Sequence, residues 1–269
     1  MGSRDRFGDV RRVVTAHIPD YRVDSVVPLS EGWDNIAYEV NSELIVRFSK
    51  ESDPARQAQR VNREARLLAA VAGISPLPVP EPRFAVEEEG CLAYVKIPGV
   101  PLLDMAQPQR LVRGTSIAAT LGELLAALHA APVDRMANLV GTEDRPLDEW
   151  RRDAAEAYQA VVGEVPVVHR RPIEAFLDAL PPEARYALTF SHNDLGIEHV
   201  LVDPVAWRIT GIIDWSDAAI VDPAYDFGLL YRDLGTGAVD VAIRSYRTDV
   251  NDVVTLRERA VFYARCTVF

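Results

Sequence analysis

The apolar pattern of this chain changes period once, and that change limits what it can fold into. In the first hundred residues the apolar positions alternate: Ile36, Tyr38 and Val40 form one run, Leu44, Val46 and Phe48 the next, with Asn41-Ser42 as a tight-turn signal between them. Alternation about such a turn predicts a β-hairpin. Val61, Ala65, Leu68 and Ala72 then recur at helical spacing and stop near Gly73. Residues 75–82, Ser-Pro-Leu-Pro-Val-Pro-Glu-Pro, read as a rigid connector, because their four prolines remove backbone donors. Residues 92–97 predict a buried strand closed by Pro98-Gly99.

From about residue 115 the spacing is helical. Ile117, Leu121, Leu124, Leu125 and Leu128 form one stripe; Trp150, Ala154, Tyr158 and Val161 a second, with Asp148 as its N-cap; Ile173, Phe176, Leu177 and Leu180 a third. Two short β-branched runs, at 200–202 and 209–213, interrupt the helices, which resume around Leu229, Ile243 and Val261. The expected fold class is α+β and bilobal. An N-terminal β-lobe with one main helix spans 1–97, a hinge or linker 98–103, and a larger helical lobe 104–269. Ligands tend to bind in the cleft such lobes form. The chain stops at Phe269 within an apparent helix that lacks a stop signal, which leads us to expect a truncated C-terminus.

Composition narrows the partners. Forty acidic against 29 basic residues leave a net charge of −11, a field that repels nucleic acid and anionic membranes and attracts small cations. The chain is expected to act on a small molecule, with no nucleic acid, membrane or obligate protein partner. Cys91 and Cys266 suggest no disulfide framework, which fits a reducing compartment. The first seven residues are charged and hold no apolar signal core, and Gly2 lacks the Ser or Thr that myristoylation wants at position 6, where Arg6 stands. No apolar run approaches bilayer length, and the chain reads as cytoplasmic.

The densest polar constellation is Ser191-His-Asn-Asp-Leu-Gly-Ile-Glu-His-Val-Leu-Val-Asp203, followed by Ile209-Thr-Gly-Ile-Ile-Asp-Trp-Ser-Asp217. Asp194 falls on a turn, and Asp214 ends an apolar strand, where a carboxylate is costly to desolvate unless a cation or donors compensate. Phosphoryl transfer needs two such acids: one takes the proton of the substrate hydroxyl, the other holds Mg²⁺ against the phosphates.

This stretch resembles the aminoglycoside phosphotransferases, whose catalytic segment is a modified His-Arg-Asp loop and whose metal strand ends in Ile-Asp. The resemblance runs through most of the chain. It takes in Ser30-Glu-Gly-Trp-Asp-Asn-Ile-Ala-Tyr-Glu-Val40 as the nucleotide-covering hairpin and Asn62-Arg-Glu-Ala-Arg-Leu-Leu68 as the regulatory-type helix. Val95-Lys-Ile-Pro-Gly-Val-Pro-Leu102 looks like the hinge, and Asp222-Pro-Ala-Tyr-Asp226 like the segment after the metal strand. His192-Asn193-Asp194 with His199 is most similar to the 2''-aminoglycoside branch and, for that His, to the macrolide 2'-phosphotransferases. The resemblance implies a protein-kinase-like fold and phosphate transfer from ATP or GTP to an antibiotic hydroxyl with Mg²⁺. It implies Asp194 as catalytic base and His199 and Asp214 as metal ligands, His199 standing where the wider family has Asn. Arg47, in the phosphate-clamping position that is Lys in many kinases, would pair with Glu64. Tyr94, Val95 and Ile97 would line the nucleotide site, the bulk of Tyr94 favouring GTP, and Asp217, Asp222 and Asp233 would meet a cationic substrate.

For each residue a plainer role stands beside the functional one. Asp194, Asp214, Asp217 and Asp222 could be turn carboxylates, Glu64 a solvated helix residue and Tyr94 core packing. His192 reads as a buried scaffold group bonded to backbone near the metal strand. His17, His129 and His169 read as surface or helix-end residues. An aminoglycoside is the expected acceptor. The alternatives are a macrolide amino sugar, which the acid-poor segment around Asp233 and Arg232 would suit, and an amino alcohol or sugar. A nucleotide-binding protein without activity is a further alternative.

Overall fold

The computed structural model describes residues 6–32, 34–183, 186–246 and 250–268. Gly2, Trp33 of the nucleotide-covering segment, and Phe269 lie outside the described residues. The chain divides into two compact units, Met1–Gly73 with Pro78–Pro98, and Ile74–Leu77 with Gly99–Phe269.

The first unit is an antiparallel sheet with two helices. Helix α1 (Phe7–His17) is followed by β1 (Val26–Glu31), β2 (Asn35–Val40), β3 (Leu44–Ser49), α2 (Pro54–Ala72), β4 (Pro82–Val86) and β5 (Cys91–Val95). The sheet order is β1-β2-β3-β5-β4. The β2–β3 hairpin turns where expected, with Asn41 and Ser42 both in the left-handed region, φ 52° and 58°. Asn41 also accepts from the Asp24 and Ser25 amides and donates to the Arg22 carbonyl, tying the turn to the approach to β1.

Among the described residues two α-helices, rather than one, belong to this unit. The narrow stripe Val10, Val13 and Val14 of α1 is fully buried and packs with Tyr38, Val40, Val46, Phe48 and Ala93. Its neighbours Arg11, Arg12 and Thr15 face out, so the stripe is easily passed over in the sequence. Helix α2 starts as capping chemistry dictates, with Asp53 accepting from the Arg56 amide at 2.8 Å and Pro54 in the first turn. Its core face is Val61, Leu67, Leu68 and Val71, a rotation away from the stripe read through Ala65 and Ala72. The connector's last proline, Pro82, opens strand β4, a position where a missing donor is tolerated. Strand β5 ends at Val95, which is 52% exposed, so the buried run is shorter than expected.

The second unit contains β6 (Val100–Pro101), α3 (Gln107–His129), α4 (Val133–Met136), β7 (Gly141–Thr142), α5 (Leu147–Val161) and α6 (Val167–Asp178). Strands β8 (Thr189–Ser191), β9 (Val200–Val202), β10 (Ile209–Ile212) and β11 (Ala219–Val221) and helices α7 (Ala224–Leu234), α8 (Thr236–Tyr246) and α9 (Val250–Cys266) follow. Two small sheets form, ordered β10-β9-β6 and β7-β11-β8. They set the two ends of residues 192–199: the segment leaves β8, which pairs with β11, and enters β9, which pairs with β10.

Helix α5 is not capped by Asp148. Pro146 holds the N-cap position, and Asp148 instead bridges Arg151 at 3.2 Å. Helix α6 stops at Asp178, so Leu180 is exposed and of the expected stripe only Leu177 is buried. By length and composition α3 could cross a bilayer. In this unit Ile117, Leu121, Leu124, Leu125 and Leu128 are buried instead, and α3 packs chiefly on α8.

That packing depends on Gly122. A Cβ there would lie 2.2 Å from the Ala242 carbonyl oxygen, whereas one at Gly114 on the same helix would lie 3.8 Å from Leu234. Gly122→Ala should lose about 2 kcal/mol to overpacking, outweighing the ~1 kcal/mol gained in helix propensity. Gly114→Ala should keep that gain. Thermal melts should therefore move in opposite directions; a common direction would remove the close approach as the cause.

Candidate active site

Helix α7 holds the segment around Asp194. Asp226 lies in its first turn, fully buried, and its two carboxylate oxygens accept from the amides of Asn193 at 3.2 Å and Leu195 at 3.3 Å. Seven residues on, Asp233 accepts from the Ile197 amide at 3.2 Å and is clasped by Arg232 at 2.7 and 3.0 Å. Two carboxylates on one helix thus bind three alternate amides of the loop. Asn193 sits at φ 63°, a left-handed conformation Asn tolerates, and its side chain donates to the Asp217 carbonyl at 3.1 Å.

The loop then folds on itself. The Gly196 amide reaches the Asp194 carbonyl at 2.9 Å, and the His199 amide the Gly196 carbonyl at 3.0 Å. His199 Nδ1 donates to the Asp194 carbonyl at 2.8 Å, which leaves the Nε2 lone pair for a ligand. Nε2 lies 3.7 Å from Asp214 Oδ2, while Asp214 Oδ1 accepts from Ser216 at 2.8 Å. One ligand atom each from Asp194, Glu198 and His199 also lies within 4.8 Å of the others. An imidazole nitrogen with a free lone pair beside several carboxylate oxygens fits a divalent cation.

Electrostatics separates the groups. Burial raises the Asp194 carboxyl, opposed by His199 and assisted by Asp217, Glu198 and Asp214. Such tuning suits a proton acceptor. His192 is fully buried, donates from Nε2 to the Ile213 carbonyl at 3.0 Å and packs on Trp215 at 4.5 Å. Burial pushes its imidazole down to about 4, so it is a neutral strut.

In the first unit, Arg47 on β3 donates to Glu64 on α2 at 2.8 Å, both side chains being mostly buried. Lys50, just past β3, reaches the Gly32 carbonyl instead. Tyr94 is half-buried opposite Ile45, Val95 is exposed, and Ile97 is half-buried beyond the strand.

The sequence assigns Asp217, Asp222 and Asp233 to the substrate, but only Asp217 is exposed. Asp222 is 3% exposed and accepts from Arg259 at 2.8 Å, Tyr263 at 3.1 Å and the Ala224 amide at 2.9 Å. Together with the loop-binding of Asp233, this makes both acids parts of the scaffold. His129 also departs from its surface reading. It ends α3 but bonds Tyr246 and Ser191 at 3.0 Å each, and burial pushes it down to about 3. Sequence reasoning missed Glu198, although it adjoins His199, and the brace by Asp226. An acid within the apolar run of α7 was the available signal for the latter.

Asp226 yields a test. Burial, against the two bound amides, pushes its carboxyl from 3.8 up to about 7. Between those values the unfolded chain is ionised while the folded chain keeps the proton, so this group's contribution to stability falls as pH rises across that window. Asp226→Asn should flatten that slope in urea melts. It also sets an amide N–H against one main-chain N–H, and the displaced loop should lower turnover about 10²-fold. An unchanged slope and unchanged turnover would refute the brace.

Residues 25–260 match the phosphotransferase enzyme family (APH). The chain is 29% identical over 207 residues to viomycin phosphotransferase of Streptomyces vinaceus, covering 73% of this chain and 69% of that protein. Among solved structures it is similar to the GDP complex of an aminoglycoside 2'-phosphotransferase, with TM-score 0.74, 24% identity, and coverage of 97% of this chain and 89% of that one. A macrolide 2'-phosphotransferase from Brachybacterium faecium gives TM-score 0.69, 23% identity and coverage of 95% and 89%. The last two share the kinase-like fold, and the family match spans most of the sequence. The chain belongs to the phosphotransferase enzyme family and is a small-molecule kinase.

Proposed function

We propose that the chain transfers the terminal phosphate of ATP or GTP to a hydroxyl of an aminoglycoside-type antibiotic. The observation that carries this reading is the placement of Asp194 and Asp214 on either side of His199, 3.4 and 3.7 Å from its ring nitrogens. The substrate oxygen attacks the γ-phosphorus as its proton passes to Asp194, and the bond to the bridging oxygen breaks, releasing the nucleoside diphosphate. His199 Nε2 and Asp214 would hold Mg²⁺, which when bound neutralises charge on the β- and γ-phosphates. Arg47, kept in place by Glu64, would bind donor phosphate bidentately. The GDP complex of the similar aminoglycoside enzyme supports a nucleotide donor. Tyr94, Val95 and Ile97 are the candidate nucleotide contacts. A cytoplasmic location accords with that donor.

A macrolide acceptor is the second reading, and one observation favours it. With Asp222 and Asp233 engaged in the scaffold, fewer acids remain for a polycation.

Asp194→Asn should lower phosphotransfer by ~10²-fold or more while the nucleotide still binds. Asp214→Ala should abolish transfer, without rescue by excess Mg²⁺. A coupled turnover assay with calorimetry of nucleotide binding reads both, and near-wild-type turnover of Asp194→Asn would refute the assigned base.

The acceptor class is read by salt. An aminoglycoside held through exposed Asp217 should lose apparent affinity between low and physiological ionic strength, where the Debye length is ~8 Å, and Asp217→Asn should raise its KM. A macrolide depends on buried apolar area and should be nearly indifferent. A salt-independent best substrate would overturn the aminoglycoside reading.

A further inference from the structure

The second unit contains a recess of about 20 Å³, room for one group the size of a water molecule. Trp150, Tyr186, Tyr225 and Tyr263 line it, together with Glu143, Arg145, Val221 and Asp222. Trp150 meets Tyr225 at 5.3 Å and Tyr263 at 5.5 Å between ring centroids. Aromatic faces carry negative quadrupole charge and attract cations. Asn193 completes the wall, so the recess adjoins the residue preceding Asp194.

The charges at the recess do not cancel. Arg145 also borders it, stacked on Trp150 at 4.9 Å, but its guanidinium is engaged by Glu149 at 3.5 Å and by Asp153. Asp222 is matched by Arg259. Glu143 is exposed, and among the described residues no cation pairs with it. Burial first, then Asp226 and Asp194, push the Tyr225 hydroxyl up to about 12, with Arg232 opposing and Glu143 adding the smallest push.

Building on the phosphotransferase reading, we propose that this recess is an acceptor subsite for a single primary ammonium group, held by Glu143 and the faces of Trp150 and Tyr225. A substrate anchored there lies against the segment that carries Asp194. Acceptor choice would then turn on one amine of the right size rather than on total positive charge.

The probe is methylammonium chloride, with tetramethylammonium chloride at equal ionic strength as the size control. Methylammonium should compete with the acceptor but not with the nucleotide, and tetramethylammonium should compete with neither. Glu143→Gln should raise the acceptor KM about fivefold, the size of one lost exposed ion pair, with the nucleotide KM unmoved, and should abolish the competition. Viomycin, kanamycin and a macrolide serve as acceptors. Independently of any acceptor, NMR of the Trp150 indole should show a saturable methylammonium shift in the wild type that Glu143→Gln removes. Transfer that proceeds without competition and without a KM change overturns the subsite and leaves the kinase reading intact. Failure of all acceptors with an intact indole shift counts against the acceptor classes and supports the subsite. An absent or unsaturable shift, or an equal response to tetramethylammonium or chloride, overturns the subsite.

Discussion

A buried carboxylate bound to two main-chain amides is the constraint on which the candidate active site rests. Asp226 grips the residues immediately before and after Asp194, and Asp233 grips Ile197 from two turns further along the same helix. These bonds hold Asn193 in a left-handed conformation that costs an ordinary L-residue roughly 1–2 kcal/mol. Once that segment is set, the Asp194 carbonyl fixes the His199 ring, and the ring faces Asp214. The chemistry thus inherits its geometry from an apolar helix rather than from the loop itself.

The two histidines of the loop show how environment divides identical side chains. His192 has no solvent contact and spends its donor on the Ile213 carbonyl just past β10; desolvation keeps it neutral. His199 is partly open and presents its lone pair among carboxylates. A hydrogen bond to the unused nitrogen is the ordinary way a protein orients a ligating imidazole.

Much of this was legible in the sequence because it is written in local patterns. Alternation about Asn41-Ser42 marked the hairpin, and the stripe through Leu121 and Leu125 marked the long helix. Asp194 and Asp214 stood out as acids beside apolar strands. What escaped was decided by tertiary partners. Asp222 and Asp233 read as available carboxylates until Arg259, Tyr263 and the Ile197 amide are seen to use them. His129 read as a helix end until Ser191 and Tyr246 are found bonded to it. Helix α1 was missed because three valines are too narrow a stripe to announce a helix without the sheet they cover. Sequence spacing shows which side chains share a face, but not which donor on another element will reach them.

The brace also separates two things that could change in a lineage. The loop is held from α7, whereas Glu143, Trp150 and Tyr186 belong to β7–α5 and to the stretch before β8. Substitutions among the latter alter what the wall accepts without passing through the bonds that position Asp194. Acceptor choice and reaction thus draw mostly on different side chains, which meet where Asn193 and Tyr225 belong both to the wall and to the braced loop and its helix.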